Sequence, residues 1–74
     1  MKIEHSEPKV ANGQVKLTAF IQLEDAERLA SSSWMDAASY KKAGERRAAY
    51  SALDDRLRAR AEQHGIDVES SAAA

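Results

Sequence analysis

Residues 36–64, DAASYKKAGERRAAYSALDDRLRARAEQH, are twenty-nine residues without a proline, rich in Ala, Arg, Leu and Glu. That composition and spacing predict one long amphipathic helix. At 100° per residue, Met35, Ala43, Tyr50, Leu53, Leu57 and Ala61 fall in one arc, the expected packing face. Arg46 and His64 lie inside the arc, and Lys42, Arg56 and Arg60 line its edge. Asp54 with Arg58, and Arg58 with Glu62, are four-residue pairs of a solvated face. Ala48, Ala52 and Ala59 form a second strip, with Trp34 roughly in line, which reads either as a helix contact or as exposed high-propensity filler. Gly44 is unfavourable in a helix interior and marks an expected kink, with the regular helix starting near Glu45. Gly65 suits the position just past the C-terminus.

Working back from the helix, Ser33 with Asp36 resembles a capping box. Ser31-Ser32-Ser33 is expected to break the chain between the long helix and a short one over residues 24–30, the alternative being a helix that continues through the serines. Glu24, Asp25 and Glu27 would sit in that short helix's first turn, with Ala26, Leu29 and Ala30 facing inward. Upstream, residues 14–23, QVKLTAFIQL, alternate with period two. Val15, Leu17, Ala19, Ile21 and Leu23 fall on one face, and Lys16, Thr18, Phe20 and Gln22 on the other. This predicts a strand with one buried side. Phe20 is the aromatic exception among the polar positions, and either covers a cross-strand neighbour or marks a second contact surface. Asn12-Gly13 is a hairpin signal, because both residues tolerate the positive φ of a type I′ turn. Residues 2–5 alternate as a short edge strand, and Pro8 suits an edge or bend. The expected fold is therefore α+β: an N-terminal β-hairpin, a short helix and a long C-terminal helix. Residues 1–69 form one domain and residues 70–74 a disordered tail.

Seventy-four residues with one Phe, one Trp and two Tyr make a thin core. Chains near this size bury only roughly 60% of their unfolded surface. A homodimer, or folding completed against a partner, is expected. With no cysteine, disulfides and thiolate metal sites are excluded. The net charge of −1 is unevenly placed: Lys41 to Arg60 carries +4 and the remainder −5. The split reads as two halves attracting one another, or as a basic face for nucleic acid. No apolar run approaches bilayer length and no signal peptide is recognisable, so a cytoplasmic location without membrane contact is expected.

Catalysis is not expected. His5 and His64 lack a visible third ligand, and His64 fits a dipole-compensating cap. The serine run has no glycine elbow, and the lone Asn-Gly turn lacks the glycines of a phosphate cradle. The expected role is a non-catalytic interaction protein without cofactor or metal, an inhibitor or adaptor of bacterial or phage type binding another protein. Its working surfaces would be the hairpin edge and the Arg-lined helix, with Phe20, Trp34, Arg46, Arg56 and Arg60 as contacts.

Residues 15–29, VKLTAFIQLEDAERL, resemble the strand-into-helix opening of ribbon-helix-helix repressors. That resemblance implies a dimeric DNA-binding protein in which outward residues of paired strands read the major groove. Lys16, Thr18 and Phe20 would take the outward positions; separately, Lys42 stands close to one line with Arg46, Arg56 and Arg60 on the basic helix, a candidate row of phosphate contacts. A structural subunit joined through Ala48, Ala52 and Ala59 is the third reading.

Overall fold

The structure, a computed structural model, describes residues 2–68. It is α+β, with four antiparallel strand segments packed on a helix. β1 (Ile3–His5) and β2 (Lys9–Ala11) both pair with one edge of the central β3 (Gln14–Gln22), and β4 (Arg28–Asp36) pairs with the other. α1 (Ala37–Tyr40) is a single turn and α2 (Ala43–Gln63) is the long helix. The expected disordered tail, residues 70–74, lies outside the described residues. No described helix is long and apolar enough to cross a membrane.

β3 forms for the reason its alternation implies. Val15, Leu17, Ala19 and Ile21 are buried, while Lys16, Thr18, Phe20 and Gln22 point away from the helix. Asn12 and Gly13 adopt φ of 51° and 75°, the left-handed values a two-residue hairpin turn demands. The strand before that turn is interrupted. His5 pairs with Ala19 and Lys9 with Lys16, so residues 6–8 oppose only Leu17 and Thr18. One extra residue bulges there, at Pro8, which has no N–H for the ladder. The Ser6 N–H keeps a bond to the Thr18 carbonyl (3.0 Å).

Two expectations are overturned. The short helix over residues 24–30 and the break at Ser31-Ser32-Ser33 are both replaced by the nine-residue strand β4. Leu29, Ser31, Ser33 and Met35 face the helix, and Ala30, Ser32, Trp34 and Asp36 face away. Consequently Ala26 and Ala30, expected inward, are exposed. The physical reason is non-local: β3 has a second edge of backbone donors and acceptors, and satisfying it outweighs the intrinsic preferences of a serine run. Glu24 and Asp25 lie in the β3–β4 turn instead. Asp25 takes φ 55°, and the Gln22 side-chain amide donates to the Asp25 and Glu27 carbonyls (3.1 and 3.0 Å).

The long helix also begins later than expected. Ser33 lies in β4, and Asp36 precedes α1 without a side-chain capping bond, so there is no capping box. The chain breaks at Lys41-Lys42, where Lys42 is extended (φ −86°, ψ 114°), two residues before Gly44. Met35 belongs to the sheet and Ala43 is exposed, while Tyr50, Leu53, Leu57 and Ala61 do form the packing face. The helix ends as Gly65 indicates: φ is 70°, the Ile66 N–H bonds to the Ala61 carbonyl and the Gly65 N–H to that of Glu62, the paired bonds of a Schellman cap.

The core is the contact between the inner sheet face (Val15, Leu17, Ala19, Ile21, Leu29) and α2 (Leu53, Leu57, Ala61). Ala19 and Ser31 are register partners, and two small side chains there leave room for helix leucines. Among the described residues, no helix lies on the opposite face of the sheet.

Candidate interaction surfaces

The helix arginines are engaged within the fold. Arg60 donates to the Ala30 carbonyl and Arg56 to the Ser32 carbonyl (3.4 Å). The two carbonyls belong to alternate residues of β4, on the edge that no strand among the described residues pairs with. The two guanidinium groups therefore reach from α2 around the sheet and occupy acceptors that an incoming strand would use. Arg46 donates to the Tyr40 carbonyl (2.9 Å) and lies over the Tyr40 ring (5.3 Å to the centroid), joining α2 to α1 across the break. At the other edge, the hairpin strand expected to extend a partner's sheet consists of two three-residue pieces separated by the bulge at Pro8. Each edge thus offers little continuous backbone for strand addition.

A second internal link joins β1 to α2. His5 Nε2 lies 2.8 Å from Asp54 Oδ1, and the imidazole meets the Tyr50 ring edge-on at 4.9 Å. Burial pushes the Tyr50 phenol above its ordinary value; Tyr40 adds to this through its charge and a hydrogen bond, and Arg46 opposes it. Forty-nine residues separate His5 from Asp54, so nothing local in the chain signals this pair. No group of three or more metal-ligating side chains occurs among the described residues.

Phe20 and Trp34 both project from the helix-free face of the sheet, on either side of the Thr18–Ser32 pair. This corrects the expectation that Trp34 continues the helix strip of Ala48, Ala52 and Ala59: it projects from β4, paired with Lys16, and is 51% exposed. Phe20 is half-buried because Arg28 lies over its ring, 4.7 Å from the centroid. Sequence reasoning missed Arg28 because it was assigned to a helix, and an i, i+8 spacing has meaning only once the β3–β4 turn is known.

The face is ordered in rows. At its centre, Thr18 and Ser32 are register partners with hydroxyls 3.1 Å apart. The row nearer the Asn12-Gly13 turn carries Lys9, Lys16 and Trp34, and the row on the other side carries Glu4, Phe20 and Ala30. Beyond these stand Gln14 with Asp36, and Gln22 with Arg28. Of the residues named for DNA, Lys16 and Thr18 are on this face. Lys42 sits in the α1–α2 connection, 3.6 Å from Glu45 in an exposed pair. Because β3 is flanked on both sides, it has no edge left to pair across a dimer as a ribbon-helix-helix strand does. Comparison with known proteins found no matching family model, curated protein or solved structure.

Proposed function

We propose that this chain is a non-catalytic protein-binding module of adaptor or inhibitor type, acting in the cytoplasm without a cofactor, whose working surface is the open face of the sheet. One observation carries the reading: Phe20 and Trp34 share the face that no element among the described residues covers. Large aromatics and arginine dominate interface energetics, and here Phe20 with Arg28 over its ring, and Trp34 on the far side of the Thr18–Ser32 row, lie on one face among charges of both signs. Arg46, Arg56 and Arg60 support the scaffold in this reading, which moves the working surface away from the helix.

Charge balance favours protein over nucleic acid. Lys9, Lys16 and Arg28 on the strands of this face are offset by Glu4 and Asp36, leaving little excess to neutralise a phosphate backbone. The test is quantitative capture on immobilised protein with wild type, Trp34→Ala, and Arg47→Ala on the exposed side of α2 as control. A protein retained by wild type and Arg47→Ala but released by Trp34→Ala is the expected result. Equal retention by all three overturns the reading. Titration of a mixed-sequence DNA duplex on the same samples separates the alternative: binding that weakens steeply with salt and is lost in Lys16→Ala would replace protein by DNA as the ligand.

A further inference from the structure

The rows of the open face are complementary to themselves. We infer that a second copy of this chain docks there, face to face, about a two-fold axis that runs across the strands through Thr18 and Ser32. The inference rests on the open face being the working surface and names its first occupant.

A face-to-face pair has its two-fold axis in the plane between the sheets, and the axis direction decides which residues meet. An axis perpendicular to the strands exchanges rows and preserves columns. Lys9 of one copy then faces Glu4 of the other, because both lie on the hairpin strand one row either side of centre. On the β4 column, Asp36 faces Arg28 and the large Trp34 faces the small Ala30. On β3 the same operation sets Lys16 over Phe20 and Gln14 over Gln22; every contact occurs twice, so four opposite-charge pairs and two bulky-on-small contacts accompany these. An axis along β3 instead places Glu4 over Ala30 and Lys9 over Trp34, matching no charges. Two sheets packed with nearly aligned strands, roughly 10 Å apart, bring side chains of these lengths into reach.

β3 and β4, nine residues each, with the two three-residue pieces of the hairpin strand beside them, give a footprint of roughly 30 by 14 Å per copy, below the standard size of specific interfaces. The pair is accordingly weak and dilution-sensitive, and a foreign protein competes for the same face by displacing the second copy.

The test is molar mass by sedimentation equilibrium over a wide concentration range at low and moderate salt. Wild type should approach twice the chain mass at the upper concentrations. Trp34→Ala should weaken association by about tenfold or more. Glu4→Lys should also weaken it, and Glu4→Lys combined with Lys9→Glu should restore it, which a folding defect cannot mimic. Ala52→Leu, on the outer side of α2, should leave the mass unchanged. A monomer at every concentration overturns the inference, as does a dimer indifferent to Glu4→Lys or a swap that fails to restore it. The two readings fail separately: a monomer whose capture of another protein is lost with Trp34→Ala retains the proposed function and removes only the second copy.

Discussion

Arg60 and Arg56 each place a guanidinium on a backbone carbonyl of β4, and Tyr50 sits where burial and a second tyrosine disfavour its phenolate. A charged donor on a strand-edge carbonyl is worth about 1–2 kcal/mol, less where water competes. Arg60→Ala should therefore lower stability by about 1 kcal/mol in urea denaturation, and Arg56→Ala, with its longer bond, by less. For Tyr50 the folded-state pKa lies above the unfolded value of 10.0. Its contribution is complete below that value and is lost as pH rises through the folded pKa. Urea midpoints between pH 8 and 11 should fall in the wild type and fall less in Tyr50→Phe; parallel curves would refute this. In the core, Leu57 is fully buried against the sheet, and Leu57→Ala should cost about 2–5 kcal/mol. With so few large side chains inside, that loss should leave the chain largely unfolded by circular dichroism at room temperature.

At the level of elements, some were legible in the chain and others were not, for definite physical reasons. β3 was legible because inner and outer residues alternate over nine positions, and its turn because Asn12-Gly13 suits few other conformations. The end of α2 was legible from Gly65, which adopts the positive φ its position requires; Gly65→Ala should cost about 1 kcal/mol in denaturation. β4 was hidden twice. Its inner face is half serine, so its alternation is not hydrophobic, and the acidic residues before it mimic a helix start. Its existence depends on the free edge of β3, a requirement that no window of residues 24–36 contains. The candidate surface was affected in the same way: Phe20 stood out on β3, while Trp34 drew notice as a residue type and was placed on the wrong element. Hydrogen exchange can check the arrangement directly. Amides of β3, bonded on both sides, should exchange slowest, and Lys41 and Lys42 at the helix break among the fastest.

On the scale of the whole molecule, a single helix covers one side of the sheet and leaves the other bare, with arginines holding one edge and a bulge with Pro8 interrupting the other. The two layers are stitched where His5 on β1 meets Asp54 and Tyr50 near the middle of α2, and the β3–β4 ladder runs on into α1 through the Ala37 N–H bond to the Gly13 carbonyl (2.9 Å). Disrupting the first stitch with Asp54→Ala should loosen β1 more than β4, visible as faster exchange at Ile3 and His5 with little change at Leu29.

The two arginines that guard β4 follow the residues whose carbonyls they bond by 24 and 30 positions in the chain. During synthesis, all the strands exist before either arginine has left the ribosome. For that interval the nascent sheet presents a strand whose outward carbonyls have no protein partner. The newly made chain is therefore most vulnerable to mispairing at an intermediate length, and release of the finished helix ends that exposure.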